Sequence, residues 1–324
     1  MKSATAIAHP NIALCKYWGK RDRLLNLPSV GSLSLTLAPF STTTTVDWGV
    51  DRDELVLNGR PGTAGESGKV FAVLDLIDAW RPRVRVVSAN DFPTAAGLAS
   101  SSSGFAALVL AACEASGQTR TMEDLSVVAR RGSGSAARSI FGGWAAWNLG
   151  ERPDGVDSHA RQIAPPDHWD VRMIVAIFDD GPKAVSSRDG MLHTQATSPF
   201  YPAWVDSAPR DLVEAGAAIL ARDLDALGVV MERSALRMHA SMMAADPPVF
   251  YWKSGSVWAQ EVVRSLRAGG LPCAWTMDAG PTVKVLVDTQ NAEDVATRLA
   301  RVAERVHVLK PGGPARLVEP GPAP

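Results

Sequence analysis

A run of small side chains from Phe92 to Gly104, just before a predicted helix, has the clearest capacity for chemistry. Glycine and alanine let backbone N–H groups approach an anion closely, and the amino end of a helix adds free donors and partial positive charge. The consecutive serines 100–103 add hydroxyl donors at the same place. The run predicts a phosphate-binding loop, although it lacks the spacing of a Walker loop. A serine-rich helix cap explains the same residues equally well when the run is taken alone.

A second segment, from Arg130 to Ser139, places alternating glycine and serine between arginines. Backbone donors, hydroxyls and a guanidinium group together suit a carboxylate or a phosphate. The two leading arginines are also explained as cations at the carboxyl end of a helix. That explanation leaves Ser133, Ser135 and Arg138 without a purpose, so these three are candidate anion-binding residues.

Three further segments carry charged side chains that a ligand site would use. The segment from Lys16 to Asp22 interleaves cations with aromatic residues, and the segment from Lys183 to Met191 offers hydroxyls and cations. Asp278 follows an apolar strand and precedes a Gly-Pro turn, where its carboxylate would orient a hydroxyl or accept a proton. Taken singly, a solvated surface and an Asp that caps its own turn are the favoured explanations.

The overall composition excludes several classes of protein. The 33 basic and 34 acidic side chains nearly cancel, which argues against a broad nucleic-acid surface or a polybasic membrane anchor. The longest apolar run, Phe105 to Cys113, is far shorter than the roughly 20 residues that span a bilayer, and the first residues do not resemble a secretion signal. The 3 cysteines and 6 histidines show no metal-binding spacing. We therefore expect a cytoplasmic protein that holds no metal through its own side chains.

Strands and helices mix without regular alternation, which predicts an α+β fold rather than a doubly wound sheet. Helical spacing begins at Ser101, and Thr121 with Asp124 predicts the start of the next helix, which Gly132 ends. The other predicted strands are Thr42–Trp48, Glu54–Asn58, Arg83–Ser88, Val171–Phe178, Cys273–Met277, Thr282–Val287 and Val306–Leu309. The other predicted helices are Pro209–Met243 as one helix or two, Ser256–Ala268 with Ser256 as N-cap, and Asn291–Glu304 with Asn291 as cap.

All five chemical segments, in this order, resemble the diphosphomevalonate decarboxylase family. This family is a branch of the superfamily of galactokinase, homoserine kinase, mevalonate kinase and phosphomevalonate kinase. The resemblance covers residues 5–285, and its most specific stretches are Asn11–Asp22, Asn90–Phe105, Gly132–Gly143 and Asp278–Pro281. The Gly-Leu-Ala-Ser-Ser element marks the superfamily, whereas Lys-Tyr-Trp-Gly-Lys and Gly-Ser-Gly-Ser-x-x-Arg-Ser mark the decarboxylase branch.

The resemblance implies a two-domain fold of the small-molecule kinase superfamily. Residues 1–170 would form an ATP-binding part like ribosomal protein S5 domain 2, and 171–310 a ferredoxin-like part, with the active site in the cleft between them. Residues 311–324 are expected to be an irregular tail rich in proline and glycine. The implied substrates are ATP with Mg²⁺ and (R)-mevalonate 5-diphosphate, the implied products are isopentenyl diphosphate, carbon dioxide, ADP and phosphate, and the implied assembly is a homodimer.

The resemblance also carries roles onto individual residues. Asp278 would orient the 3-hydroxyl and accept its proton, Lys16 would keep Asp278 ionised, and Arg138 would hold the substrate carboxylate. The implied ATP-binding residues are Asn90, Gly97, Leu98, Ser100 and Ser101. The implied substrate-binding residues are Tyr17, Lys20, Ser133, Ser135, Arg138, Ser187 and Arg188, with Lys183 as a weaker candidate for the transferred phosphate.

Three positions depart from the family pattern. Thr282 stands where the family has asparagine, and Val30 and Gly31 replace an Asn-Ser pair. The departures concern the identity of the substrate more than the class of reaction. The alternatives are a related decarboxylase or 3-kinase that acts on mevalonate monophosphate or mevalonate, and a catalytically silent nucleotide-binding module.

Overall fold

A computed structural model of the chain describes residues 2–92, 100–178, 181 and 185–319. The strands are β1 (Lys2–Ala8), β2 (Asn11–Cys15), β3 (Lys20–Asp22), β4 (Leu27–Pro28), β5 (Ser32–Ala38), β6 (Thr42–Trp48), β7 (Glu54–Leu57), β8 (Arg60–Pro61), β9 (Val84–Asn90), β10 (Trp144–Trp147), β11 (Ala160–Ala164), β12 (Val171–Ile177), β13 (Cys273–Met277), β14 (Val283–Asp288), β15 (Arg305–Pro311) and β16 (Arg316–Val318). The helices are α1 (Ala64–Ile77), α2 (Ser100–Ala115), α3 (Met122–Gly132), α4 (Ala136–Ser139), α5 (Ser187–Thr197), α6 (Tyr201–Ala221), α7 (Leu224–Met243), α8 (Ser254–Ala268) and α9 (Ala292–Leu299). The α+β prediction is confirmed.

The first layer is a six-stranded sheet in the order β16-β1-β6-β9-β7-β8, and its inner face packs against α1, α2 and α3. Strand β6 alternates buried and more exposed residues, as expected for a strand with one face against a core. Helix α2 buries Leu108 and Val109 with Val46 and Val86 of the sheet. This packing fixes the helix, and it therefore fixes the serines of its first turn.

The second layer is an eight-stranded sheet in the order β11-β10-β5-β15-β12-β14-β13, with β2 also paired to β5. Its strands come from both sides of residue 170, because β15 pairs with β5 through Lys310 with Ala38 and Pro311 with Leu37. Helices α6 and α7 pack on one face of this sheet, and α8 and α9 pack on the other. Helix α7 crosses from β2 to β13, since its Ser234 accepts from the Lys16 amide and its His239 ring lies beside the Met277 carbonyl oxygen.

Several predicted elements are confirmed within a few residues. The Thr121 hydroxyl accepts a hydrogen bond from the Asp124 amide at 3.1 Å, so Thr121 is the N-cap of α3, and the helix ends at Gly132. Strands β13 and β14 form an antiparallel hairpin, with Met277 opposite Val283 at the turn. Asp278, a candidate catalytic residue, therefore lies at the tip of a hairpin between two buried strands.

Other predictions were wrong in their bounds. The region predicted as helical from Pro209 begins at Tyr201, and it is two helices separated at Arg222, whose φ of 55° ends α6. Helix α8 begins at Ser254 rather than after Ser256, because the Ser256 hydroxyl instead donates to the Pro281 carbonyl at 2.8 Å. Helix α9 covers Ala292–Leu299 only, and the Asn291 side chain makes no capping bond.

The tail prediction was also wrong in part. Strand β15 extends through Pro311, and β16 pairs antiparallel with β1 through Thr5 and Val318. A short Gly-Gly-Pro segment lets the chain cross from one sheet to the other, so its composition marks a crossover rather than an irregular end. Among the described residues, no helix has the length and apolar character that a membrane crossing requires. The domain division at residue 170 stays a prediction.

Candidate active site

The centre of the candidate site is an ion pair between Lys16 and Asp278. Lys16 follows β2, and its ammonium group donates to Oδ1 of Asp278 and to the carbonyl of Ala13, both at 2.7 Å. Asp278 occupies the β13–β14 turn, where Gly280 has a φ of 101°, which favours glycine. The Lys16 side chain is 1% exposed, whereas that of Asp278 is 34% exposed. The carboxylate is therefore open to a ligand while its cationic partner is not.

A second buried lysine contacts the same carboxylate. Lys284 of β14 donates from Nζ to Oδ2 of Asp278 at 3.1 Å. Burial by itself would raise the pKa of Asp278, but Lys16 and Lys284 outweigh it and hold the pKa well below its usual range. Burial lowers the pKa of Lys16 to about 8, against the attraction of Asp278. The carboxyl group is consequently ionised throughout the neutral pH range.

Arg138 lies beside this ion pair in the short helix α4. Its guanidinium group donates to the hydroxyls of Ser32 and of Ser34, the latter at 2.9 Å, and it lies over the Trp147 ring at 6.0 Å from the centroid. Burial lowers the pKa of Arg138 to about 10, and the negative charge of Asp278 acts against that shift. Within the described ranges, no carboxylate accepts a hydrogen bond from Arg138. The arginine is therefore positioned by neutral groups and keeps its charge available for an anion.

Tyr17 joins this cluster to the Gly-Ser segment. Its ring lies 5.0 Å from that of Trp147, and a Cβ added to Gly134 would lie 3.0 Å from both rings. The close approach explains the glycine at position 134, and it holds the hydroxyls of Ser133 and Ser135 3.2 Å apart. The Tyr17 hydroxyl is buried, and among the described residues it has no hydrogen-bond partner. An orphaned buried hydroxyl beside cations is suited to a ligand oxygen.

The serines at the start of α2 connect this cluster to a cavity. The Ser101 hydroxyl lies 3.2 Å from that of Ser133. Ser100, Ser101 and Asn90 line a cavity of about 250 Å³ between α1, α2 and the first sheet. Asn90 is held there because its Oδ1 accepts from the Thr42 hydroxyl at 2.7 Å. The structure thus places three of the predicted ATP-binding residues on one cavity wall, next to the Gly-Ser segment.

The remaining described candidates border the cluster on its outer side. Burial, together with the positive charges of Arg188 and Lys69, lowers the pKa of Lys20 to about 8. Arg188 also acts electrostatically on Tyr17, so it belongs to the same group. Ser187 and Arg188 form the start of α5, after the N-cap Ser186. Cations crowded in this way favour a bound anion, which would relieve their repulsion.

Three predicted residues, Gly97, Leu98 and Lys183, lie outside the described residues. The structure does describe Val30, Gly31 and Thr282, the three positions that depart from the family pattern. Val30 is buried with Trp18 and Tyr201, and a Cβ at Gly31 would lie 2.9 Å from Cδ2 of Leu212 and 3.2 Å from the Trp147 carbonyl oxygen. These two replacements therefore follow from local packing. Thr282 is also buried, and its hydroxyl has no partner among the described residues.

Two residues that contact the site were not predicted from the sequence. Lys284 gave a readable signal, since it is a charged residue between two valines of the strand Val283–Asp288. Asn11 belongs to the stretch that carries the resemblance, but no role was assigned to it. Its Oδ1 accepts from Arg138 at 3.3 Å, and its amide donates to the Ser139 hydroxyl at 2.7 Å. Both residues contact charged side chains that are distant in sequence, so their partners are seen only in the tertiary structure.

Two family models match this chain, one in each half. The diphosphomevalonate decarboxylase-like N-terminal domain matches residues 8–160, and the mevalonate 5-diphosphate decarboxylase C-terminal domain matches residues 173–310. The diphosphomevalonate decarboxylase of Aspergillus fumigatus is 39% identical over 90% of this chain and 78% of its own length.

Two solved structures extend the comparison to the fold. That of mevalonate diphosphate decarboxylase from Staphylococcus aureus is 38% identical, with a TM-score of 0.92 over 98% of both chains. A structure described as MDDEF in complex with MVAPP, AMPPCP and magnesium is 43% identical, with a TM-score of 0.90 over 98% of this chain and 99% of that one. This chain belongs to the diphosphomevalonate decarboxylase family.

Proposed function

We propose that this chain catalyses the ATP-dependent decarboxylation of (R)-mevalonate 5-diphosphate to isopentenyl diphosphate. One arrangement carries the proposal: the Asp278 carboxylate is partly exposed, its partner Lys16 is buried, and the nearby Arg138 donates to no carboxylate among the described residues. The reaction needs these groups, because it must phosphorylate a tertiary hydroxyl and then release a neighbouring carboxylate as carbon dioxide. The other products are ADP and phosphate.

Asp278 orients the substrate 3-hydroxyl toward the γ-phosphoryl group and accepts its proton. A carboxylate whose pKa is held so low is a weak base, so it accepts the proton late, when the oxygen–phosphorus bond is already forming. Phosphoryl transfer tolerates a weak base, since positioning and charge neutralisation supply most of its rate enhancement. Lys16 keeps the carboxylate ionised and adds positive charge beside the transferred group.

Arg138 binds the substrate carboxylate. Its planar guanidinium group is fixed by Ser32, Ser34 and Asn11, which leaves its charge unpaired until substrate arrives. Departure of the 3-phosphate leaves a developing tertiary carbocation, and the electrons of the carbon–carboxylate bond then form the alkene. An arginine that aims the carboxylate at that carbon favours loss of carbon dioxide over attack by water.

The diphosphate binds among the cations and hydroxyls of five side chains, which together form the diphosphate site: Tyr17, Lys20, Ser133, Ser135 and Arg188. The crowded positive charges and the orphaned Tyr17 hydroxyl support this placement, because a diphosphate brings negative charge and several acceptor oxygens. Ser187, at the start of α5, borders the same group. A monophosphate would leave more of this charge uncompensated.

ATP binds along the cavity that Asn90, Ser100 and Ser101 line. The related structure with AMPPCP, MVAPP and magnesium supports a nucleotide and Mg²⁺ in the same reaction. Among the described residues, no group of His, Cys, Asp or Glu side chains could hold a metal ion. The nucleotide phosphates would therefore supply most of the ligands for Mg²⁺, which neutralises their charge. Gly97, Leu98 and Lys183 stay predicted contacts to the phosphates.

The test is product analysis with carboxyl-labelled (R)-mevalonate 5-diphosphate and Mg-ATP. We expect labelled carbon dioxide, ADP and isopentenyl diphosphate in equal amounts, and a higher kcat/KM for the diphosphate than for mevalonate monophosphate. Formation of ADP without isopentenyl diphosphate would show a kinase only. Asp278→Asn serves as the control for hydrolysis of ATP by contaminating enzymes.

The resemblance further supports a cytoplasmic homodimer as a proposal. Light scattering coupled to gel filtration tests the assembly, and we expect a mass of twice the 34.4 kDa chain. A monomer at assay concentration that retains full activity would contradict it.

A further inference from the structure

Lys284 places a positive charge in the middle of an apolar strand. It lies between Val283 and Val285 in β14, which pairs with β12 on one side and β13 on the other. Its side chain is only 1% exposed. Burial of an ammonium group in a central strand is costly unless the charge is paired, and an apolar side chain would pack there at no such cost. The lysine therefore needs a reason beyond folding.

The ammonium group of Lys284 has one acceptor within the described ranges, which is Oδ2 of Asp278 at 3.1 Å. The other oxygen of this carboxylate, Oδ1, accepts from Lys16 at 2.7 Å. One carboxylate is thus held through both of its oxygens by two buried cations. A simple structural ion pair needs only one of them.

The two lysines approach Asp278 from different sides. Lys16 follows β2, and Lys284 comes from within the sheet of β12, β13 and β14. With Arg138 nearby, three cations surround a single carboxylate before any ligand binds. An incoming phosphoryl group competes with Asp278 for Lys16. Without a second partner, the Asp278 carboxylate would have no hydrogen bond to hold it once Lys16 turned to the phosphoryl group.

We propose that Lys284 is a positioning residue for phosphoryl transfer, which holds Oδ2 of Asp278 from within the sheet and keeps the carboxylate aimed at the substrate hydroxyl while Lys16 engages the transferred group. This inference rests on the proposed function. It assigns the two lysines different tasks: Lys16 is shared between Asp278 and ligand, and Lys284 stays with Asp278.

The charges around the pair define a pH signature. Burial lowers the pKa of Lys16 to about 8, and the positive charges of Lys284 and Arg138 act in the same direction. Loss of the Lys284 charge therefore raises the pKa of Lys16. The Lys16 pKa therefore reports whether the Lys284 charge acts on the ion pair, and kcat compared with the KM for ATP reports whether Lys284 positions the carboxylate.

Lys20, on the border of the cluster, has a pKa close to that of Lys16, whereas the groups packed directly around Lys16 do not titrate near pH 8. Burial lowers the pKa of His239 on α7 to about 3 and raises the pKa of the Cys15 thiol on β2, so both are neutral near pH 8. Burial likewise raises the pKa of Tyr17. The remaining charges nearby, Asp211 of α6 and Arg233 of α7, are paired with each other at 2.7 Å.

The test replaces Lys284 in the full-length chain. In Lys284→Met we expect kcat to fall about tenfold or more, because the carboxylate is less well aimed, with the KM for ATP within about twofold of wild type. We expect the alkaline limb of the kcat/KM profile to move up by about one pH unit, which is a tenfold change in the protonation equilibrium. If Lys284→Met does not fold, as judged by circular dichroism, Lys284→Gln removes the same charge and should give the same shift.

Thr276→Val is the matched control. Thr276 is opposite Lys284 in the β13–β14 register, and its buried hydroxyl has no partner among the described residues. The change removes a polar group beside Lys284 but no charge. We expect wild-type kcat and a wild-type alkaline limb.

A direct titration separates this inference from the proposed function. The pKa of Lys16 is followed by NMR of ¹³C-lysine-labelled protein without substrate, and it should rise in Lys284→Met whether or not the chain makes isopentenyl diphosphate. An unchanged Lys16 pKa overturns the inference, and so does a wild-type kcat in a folded Lys284→Met. If the wild-type chain makes no isopentenyl diphosphate, the proposed function is contradicted. The positioning role, which depends on that function, is then contradicted as well.

Discussion

The Lys16 ammonium group lies 2.7 Å from Oδ1 of Asp278, although 262 positions of sequence separate the two residues. The contact exists because α7 packs against the ends of both β2 and β13, where the Lys16 amide donates to the Ser234 hydroxyl at 3.0 Å and the His239 ring lies 3.3 Å from the Met277 carbonyl oxygen. This contact connects a residue from the N-terminal half of the chain to one from the C-terminal half, and both belong to the candidate site. The following predictions test whether this contact and its neighbours perform chemistry.

Asp278→Asn should reduce turnover by about 10³-fold or more, because the amide neither accepts a proton nor carries the charge that orients the hydroxyl. ATP binding should change little, since the cavity near Ser100 does not include position 278. Isopentenyl diphosphate formation and calorimetric titration of an ATP analogue measure the two effects. The exposed Asp206→Asn is the control, and near-native turnover of Asp278→Asn would remove the carboxylate from the mechanism.

The pH profile should show an alkaline limb from Lys16. Burial lowers the pKa of its ammonium group to about 8, so the proton that pairs with Asp278 is present below this pH and is lost above it. We therefore expect kcat/KM, which reports the free enzyme, to fall as the pH rises through about 8. Lys16→Met should be slow at every pH and lack this limb.

Lys20 also has a pKa lowered to about 8, chiefly by burial, so its deprotonation adds to the fall in kcat/KM. Lys20→Met should raise the KM for mevalonate diphosphate, and the part of the alkaline limb in kcat/KM that Lys16 causes should remain. A wild-type rate that stays constant up to about pH 10 would contradict both assignments.

Arg138→Lys should lower kcat about 10²-fold, even though the charge is kept. Its guanidinium group uses separate nitrogens for Ser32 and Ser34 while it presents a planar face, and an ammonium group cannot reproduce that geometry. Steady-state kinetics at saturating ATP measure the effect, with Arg131→Lys as control. A change confined to the affinity for ATP would argue against a role with the substrate carboxylate.

Ser100→Ala and Ser101→Ala should differ in their effects. Both serines line the nucleotide cavity. Only Ser101 also reaches the diphosphate site, because its hydroxyl lies 3.2 Å from that of Ser133. Loss of one hydrogen bond to a charged oxygen corresponds to roughly 1.5–3 kcal/mol of binding free energy. We expect Ser100→Ala to weaken ATP alone and Ser101→Ala to weaken both ligands, as measured by calorimetry. Equal effects of the two variants on both ligands would contradict separate subsites.

Gly31→Ser restores the residue that the family carries, yet it should destabilise this chain by about 1–3 kcal/mol. The added Cβ would lie 2.9 Å from Cδ2 of Leu212 and 3.2 Å from the Trp147 carbonyl oxygen. Urea unfolding measures the change. Gly68→Ser on α1, where no heavy atom lies within 4 Å of the added Cβ, is the control and should be neutral. An unchanged midpoint for Gly31→Ser would show that Leu212 moves aside.

The sequence predicted correctly those helices and strands whose ends depend on a few neighbouring residues, such as a capping residue or an apolar run. Thr121 and Asp124 define the start of α3, and the apolar run at Cys273–Met277 defines β13. The Ser256 cap failed because a serine hydroxyl has several possible partners, and the Pro281 carbonyl, distant in sequence, is the one it reaches. Strand β16 was missed because its pairing with β1 joins opposite ends of the chain.

The site residues show the same division. Asp278 and Arg138, the residues proposed to contact the substrate, lie in motifs that the sequence analysis singled out. Lys284 and Asn11 act on those side chains through contacts that depend on the sheet order. A charged residue inside an apolar strand was nevertheless a visible signal, and buried charge is the physical reason to look for its partner.

The pairing of β15 with β5 has a mechanical consequence. Because Lys310 and Pro311 are paired with Ala38 and Leu37, a hinge rotation of one half against the other would have to break this backbone pairing. The pairing therefore opposes a hinge motion of the scaffold beneath Asp278 and Arg138. Discrimination among small substrates then depends on a preformed shape, and any adjustment falls to side-chain rotamers and to the helices at the rim, such as α1 and α5.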